Sequence, residues 1–261
     1  MVRRLIEEGD HVLVYLDRRR RWLVRVTKGA KLHTHEGVVD IGGTLGQPFG
    51  IRVDSTLGAT FYALKPISID FLMKAERRTQ VVYPKDLGLI AVKTGVSPGA
   101  TVVEVGTGSG VLTGFLANLV RPDGHVYSYE ARPEFLAVAR RNLEKLGLAD
   151  YVTLVGRDAK EGLEPRDADA GIIDVGDPWL LVKPISAALV AGAVVAAISP
   201  TMNQVEKLVV ELSEEGYVDV ESLEVIVRGL EARPGMTRPA MRMIGHTAYL
   251  TFARKTASAK E

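Results

Sequence analysis

The stretch Thr101-Val102-Val103-Glu104-Val105-Gly106-Thr107-Gly108-Ser109-Gly110 decides the fold. Its first half is rich in β-branched residues and reads as a buried strand carrying a single acid. Its second half alternates glycine with small polar residues, and Val111 to Val120 follows with helical spacing. A strand, a glycine turn and a helix form the opening unit of a parallel α/β sheet, in which ligands lie beyond the carboxyl ends of the strands. Glycines let a ligand approach the backbone, and the amides at the helix start favour an anionic group such as a carboxylate. The spacing G-x-G-x-G excludes two rivals. A dinucleotide fingerprint needs glycine where Val111 stands, and a P-loop needs Lys and then Ser or Thr behind its last glycine. A tight turn with no ligand is the remaining alternative for the loop taken alone.

Downstream of the loop, apolar runs alternate with helix-period segments, as expected of a parallel sheet covered by helices. Strands are predicted at Thr101 to Val105, His125 to Tyr129, Val152 to Val155, Ala170 to Asp174, Ala193 to Ile198, Val218 to Arg228 and Thr247 to Ala253. Helical patterns fall near Val111 to Val120, Pro133 to Leu146, Trp179 to Ala191 and Met202 to Glu215. The last two strands are long and lack a comparable helix between them, which fits an antiparallel hairpin at one sheet edge. That ending is a hallmark of the doubly wound, Rossmann-like α/β fold in its S-adenosylmethionine-binding form. Upstream, short β-like pieces alternate with polar and glycine turns, beginning with an arginine-tipped hairpin from His11 to Val26. Residues 1–72 are therefore read as a small β-barrel or sandwich, and residues 73–261 as the α/β domain.

Composition narrows the setting. The 261 residues are 46% hydrophobic, enough for a sizeable core. With no cysteine there can be no disulfide and no thiolate metal site. The five histidines are scattered, and His33 with His35 make a poor ligand set, so no metal is expected. No signal-peptide pattern opens the sequence and no run of about 18 uncharged apolar residues occurs, so the expectation is a cytoplasmic protein without a membrane span. Net charge is only +1, but residues 1–80 carry 14 Lys and Arg against 9 Asp and Glu. The run Arg18 to Arg21 could meet phosphates, or form only a solvated hairpin tip.

Further candidate residues sit at the other strand ends. Glu130 follows the second strand about 20 residues beyond the glycines, where a carboxylate accepts ribose hydroxyls; an exposed acid at a helix start is the alternative. Asp158 follows the third strand beside Ala159 and suits an adenine amino group, or else a helix N-cap. Glu104, inside the first strand, is expected to orient the loop or reach a methionyl amine. Gly106, Thr107, Gly108, Ser109, Gly110, Val111, Leu112 and Phe135 complete the predicted cofactor set. Asp174 ends the fourth strand, ahead of Val175-Gly176-Asp177-Pro178-Trp179. Methyl transfer is an in-line displacement, so a carboxylate there could orient an amine and offset the charge developing on it. Capping the turn into Pro178 is its alternative.

Together these segments resemble the tRNA (adenine-N1)-methyltransferase family, whose archaeal and bacterial members act at adenines 57 and 58 of the T-loop. The resemblance spans nearly the whole chain. It rests on Thr79-Gln80-Val81-Val82-Tyr83-Pro84-Lys85-Asp86, on Glu104 to Gly110, on Asp174 to Trp179, and on Arg238-Pro239 with Gly245-His246-Thr247-Ala248-Tyr249-Leu250. It implies tRNA as partner, S-adenosylmethionine as cofactor, a homotetramer, and Asp174 as the catalytic carboxylate contacting adenine and cofactor. Gln80, as a cofactor residue, would cover the cofactor and target pocket with Tyr83 and Pro84; Asp177 and Trp179 would bind the substrate, with Tyr83 or Trp179 stacking on the target base or else lying in the core; and Arg238 and His246 would lie near tRNA or a subunit contact. Gly176 departs from the family's Asp-Leu-Pro turn and Ala248 from its His-Thr-Gly-Tyr segment. Two other functions share part of this pattern. An isoaspartyl-type or other methyltransferase shares the glycine loop but is disfavoured by the Asp174 turn and the Arg238 to Leu250 tail. A non-catalytic tRNA-binding subunit is disfavoured by the presence of the loop, Glu130, Asp158 and Asp174.

Overall fold

The computed structural model describes residues 4–76 and 80–257, so Thr79 of the motif above lies outside the described residues. The chain divides into two compact units, Met1–Lys74 and Ala75–Glu261.

The smaller unit contains strands β1 (His11–Tyr15), β2 (Arg21–Arg25), β3 (Lys31–Thr34), β4 (Gly37–Asp40), β5 (Ile51–Asp54) and β6 (Thr60–Leu64), then helix α1 (Ser68–Lys74). Four strands form an antiparallel sheet in the order β2-β1-β6-β5, while β3 and β4 make a separate hairpin. Alternation decides the faces: β6 buries Phe61 and Ala63 and exposes Tyr62 between them. Ile6, Val12, Val14, Val39 and Ile41 join Phe61 in the core. The arginine-tipped hairpin forms as expected, and Asp17 organises its turn by accepting the N–H groups of Arg19 and Arg20 at 2.8 and 2.9 Å. Arg20 also pairs with Asp17 and Glu36, and Arg21 lies 3.8 Å from Asp70.

The larger unit begins with α2 (Pro84–Thr94) and continues through β7 (Thr101–Val105), α3 (Val111–Val120), β8 (His125–Tyr129), α4 (Pro133–Leu146) and β9 (Val152–Val155). It then runs through β10 (Ala168–Ile173), α5 (Val182–Ala188), β11 (Leu189–Ser199), α6 (Met202–Glu214), β12 (Tyr217–Glu224), β13 (Leu230–Glu231), β14 (Arg238–Pro239) and β15 (Tyr249–Lys255). The seven-stranded sheet has the order β12-β15-β11-β10-β7-β8-β9. From β11 to β9 the strands are parallel, and β15 lies antiparallel between β11 and β12. The predicted doubly wound sheet with an antiparallel C-terminal edge is thus observed.

Helix ends follow local chemistry. Pro84 and Pro133 start α2 and α4, and Gly95 and Gly147 end them in the left-handed conformation that favours glycine. Two predicted elements are shorter than their apolar pattern. The segment from Trp179 opens as a 3-10 turn over Pro178–Leu181, becomes α5 only at Val182, and gives way to β11 at Leu189. The strand predicted to Arg228 leaves the sheet after Glu224, and Ile226 and Val227 are exposed. Periodicity registers apolar side chains but not whether a neighbouring strand is there to pair with them.

The strand order fixes where a ligand can sit. From β7 the chain winds one way through β8 and β9, then returns to β10 on the other side of β7. The β7–β10 boundary is therefore the switch point, and a crevice opens beyond the carboxyl ends of these strands.

Candidate active site

The glycine loop leaves β7 at that boundary. The Gly106 and Thr107 N–H groups both donate to the Tyr129 carbonyl, at 2.9 and 3.2 Å, and Gly110 N–H donates to the Thr107 carbonyl at 2.8 Å. Gly106 has φ +101° and Gly110 φ +77°. At Gly106 the need for glycine is steric as well, since a Cβ would lie 2.1 Å from the Asp174 carbonyl oxygen. That proximity follows from register: β7 and β10 pair Val105 with Ile173, and Asp174 N–H donates to the Val105 carbonyl at 2.8 Å.

A cleft of about 430 Å³ opens over these ends, within the range of small-molecule sites. Of the predicted residues, Gln80, Gly106, Gly108, Glu130, Asp158, Ala159, Asp174 and Asp177 line it. A smaller adjoining recess is lined by Thr107, Ser109, Val111 and Leu112 together with Gln80, Gly106, Gly108 and Asp174. Glu130 is almost fully buried; its Oε2 accepts the Gly108 N–H at 2.9 Å and its Oε1 the Arg132 N–H at 3.1 Å. Asp158 combines both of its readings, since it lines the cleft and also caps the 3-10 turn Ala159–Glu161 by accepting the Lys160 N–H at 2.9 Å.

Other predicted residues stand outside the lining. Gly110 is the N-cap of α3, where a Cβ would press on Ala139 at 3.0 Å. Phe135 packs under the Arg132 guanidinium at 4.0 Å. Tyr83 and Pro84 form the start of α2. Trp179 lies beneath the Lys207 ammonium at 4.5 Å. Arg238 pairs with Glu231 at 2.9 Å in the β13–β14 hairpin. His246 touches the rim of the cleft, since its Nε2 is 3.0 Å from the carbonyl of Pro200, a lining residue, while its Nδ1 is 2.6 Å from Glu224. The Glu224 carboxylate, and then the Pro200 carbonyl, raise the His246 pKa above its ordinary value.

Below the loop lies a polar knot that pattern alone could not assemble. Glu104 is fully buried, and its Oε2 accepts from Thr113 Oγ1 at 2.6 Å and from Ser128 Oγ. Thr107 Oγ1 sits 2.6 Å from Ser128 Oγ, tying the loop to β8. Burial drives the Glu104 pKa up to about 8, against the pull of the two hydroxyls and with further help from the charges of Asp174 and Glu130. Asp174 keeps part of its surface open to the cleft, but protein surrounds its carboxyl, and burial with repulsion from Glu130 raises its pKa to about 6. Cleft-lining residues absent from the predictions, such as Arg157, Ile198 and Pro200, come from the ends of β9 and β11. The rule that placed Asp174 could have found them, had every strand end been read in the same way.

The raised Glu104 pKa has a measurable consequence. Between about pH 4.5 and 8 the folded chain holds a proton that the unfolded chain has lost, so this group's contribution to stability falls as pH rises. Glu104→Gln keeps the side-chain shape without the titration. Its melting temperature in the ligand-free protein should match the wild type near pH 5 and exceed it near pH 8; a variant that is less stable at both values would contradict this account.

The residues fit S-adenosylmethionine: a cradle at Gly106 with no room for a Cβ, the buried acid Glu104 beneath it, and acids at the ends of β8, β9 and β10. A cationic ligand there also relieves the repulsion between Asp174 and Glu130. The described residues contain no helix long and apolar enough to cross a membrane and no group of three or more His, Asp or Glu that could hold a metal ion.

Comparison with known proteins agrees. The family described as tRNA methyltransferase complex GCD14 subunit matches residues 61–236. A tRNA (adenine(57)-N(1)/adenine(58)-N(1))-methyltransferase of Methanocaldococcus jannaschii is 35% identical, over 91% of this chain and 92% of its own. The structure of a tRNA (m1A58) methyltransferase from Aquifex aeolicus superposes with a TM-score of 0.86 at 30% identity, covering 98% of this chain and 100% of its own. A Thermotoga maritima protein described as a SAM-dependent O-methyltransferase gives a TM-score of 0.92 at 37% identity, covering 98% of this chain and 96% of its own. The cleft, the glycine loop and these similarities together make the chain a member of the S-adenosylmethionine-dependent tRNA (adenine-N1)-methyltransferase family.

Proposed function

We propose that this chain methylates N1 of adenine 58 in the tRNA T-loop, the position named for its Thermus thermophilus and Aquifex aeolicus relatives. The observation that carries this reading is Asp174, a carboxylate at the end of β10 that faces the same cleft as the glycine loop. S-adenosylmethionine supplies an electrophilic methyl group on a sulfonium. In this reading Gly106 to Gly110 receive its amino-acid end, Glu130 accepts from its ribose and Asp158 from its adenine. Gln80 covers the cofactor, and Asp177 contacts the entering base.

Adenine N1 attacks with its own lone pair, and the product carries a positive charge shared with the exocyclic nitrogen. Asp174, accepting from that nitrogen, stabilises the charge as it develops and holds the base in line with the methyl group. Because N1 lies on the pairing edge, the nucleotide has to be turned out of the T-loop to reach the cleft. Tyr83, Pro84, Trp179, Arg238 and His246 are assigned to tRNA docking around the cleft or to subunit contacts. We further infer that the enzyme works in the cytoplasm, where its tRNA substrate is, as a homotetramer. The exposed Ile226, Leu230, Met236 and Met241 on the arm between β12 and β15 support association.

The test uses labelled S-adenosylmethionine and tRNA transcripts in which adenine 57 or adenine 58 is replaced singly, with the solution mass measured by light scattering. Incorporation should disappear when position 58 is replaced and persist when 57 is replaced, at a mass of four chains. Incorporation into neither the unmodified nor the replaced transcripts would overturn the tRNA reading. Reduced incorporation that persists when either adenine is replaced singly would assign the dual specificity named for the M. jannaschii relative.

A further inference from the structure

Resting on the reading of Asp174 above, the geometry points to Gln204 as a positioning residue that acts through the backbone of the β10 turn. The strand ladder ends where Asp174 N–H meets the Val105 carbonyl. Beyond it comes Gly176, an exposed glycine around which a Cβ would meet nothing within 4 Å, so its own packing does little to restrain it. Its carbonyl accepts from Gln204 Nε2 at 2.7 Å. That bond reaches from the first turn of α6 across to the segment carrying both Asp174 and Asp177, which line the cleft on either side of Gly176.

Gln204 is itself held in place. It is the third residue of a capping box in which its Oε1 accepts the Thr201 N–H at 3.0 Å and the Thr201 hydroxyl at 2.7 Å. One turn further along α6, Lys207 covers Trp179, which follows that segment in the 3-10 turn Pro178–Leu181. The amide therefore has two separable tasks: its oxygen caps α6, and its nitrogen fixes the Gly176 carbonyl. Glutamate can perform the first, being a usual capping-box partner with an acid well placed at a helix N-terminus, but a carboxylate has no donor for the second.

Gln204→Glu should therefore keep the wild-type melting temperature and the KM for S-adenosylmethionine while kcat falls about tenfold, since small misplacements of a reacting geometry are costly. Thr201→Ala removes a capping hydroxyl but leaves the Thr201 N–H to hold the Gln204 oxygen and the Gln204 nitrogen on Gly176, so it should lower the melting temperature and cost kcat far less than Gln204→Glu does. A Gln204→Glu enzyme with wild-type kcat overturns the inference, as does one that loses kcat only in step with its melting temperature. Asp174→Ala measured alongside separates the two levels. An inactive Asp174→Ala with a fully active Gln204→Glu overturns this inference alone, whereas a fully active Asp174→Ala overturns the underlying reading and the inference with it.

Discussion

Asp174→Ala should lower turnover by on the order of 10²- to 10³-fold, the usual loss when a single group aimed at developing charge is removed. Affinity for S-adenosylmethionine should fall far less, because the loop, Glu130 and Asp158 all remain. Calorimetry on the variant separates the two effects, and equal losses of affinity and turnover would make Asp174 chiefly a cofactor ligand. The wild-type enzyme adds a pH signature. Burial and Glu130 place the Asp174 pKa near 6, so the carboxylate that the mechanism needs accumulates as pH rises through that value. Because that value belongs to the ligand-free enzyme, kcat/KM should climb with pH across this range in the wild type, and the residual kcat/KM of the variant should lack that step. Asp174→Asn is the informative companion, since its amide keeps the shape and an acceptor oxygen but carries no charge.

Gly106→Ala should be the most damaging single change in the cofactor loop. A methyl group there would stand 2.1 Å from the Asp174 carbonyl, at a φ of +101° that residues with a Cβ rarely adopt. Backbone strain of this kind costs about 1–3 kcal/mol before the collision is counted, and the collision forces β7 and β10 apart at the point where both present their functional ends. Lower thermal stability and loss of measurable S-adenosylmethionine binding are expected together. Gly176→Ala is the contrast, because its Cβ would point into open space. A Gly106→Ala protein that binds the cofactor as the wild type does would show that the loop is wider than its geometry indicates.

Much of this molecule was legible from residue order. Strand β7, the glycine turn and α3 were readable because their chemistry is local: β-branched residues favour a strand, glycines permit the turn, and apolar spacing marks the helix. Glu130, Asp158 and Asp174 could be placed at strand ends because a parallel sheet brings every carboxyl end to one edge. Gln80 and Asp177, which also line the cleft, were indicated only by the family resemblance, because no strand end marks Gln80.

What the order of residues could not decide were contacts between segments distant in the chain. The acid in β7 is marked by its position, but only packing brings Thr113 and Ser128 to one of its oxygens and leaves the other buried with no hydrogen-bond partner among the described residues. Trp179 has the composition of a stacking residue, yet α6 places Lys207 over its ring. Gln204 reads as an ordinary helix cap until the fold sets Gly176 beside it. Local propensity acts over a few residues and is written in their order, whereas the desolvation that lifts the Asp174 pKa and the bond that steadies its turn arise only when the sheet closes around them.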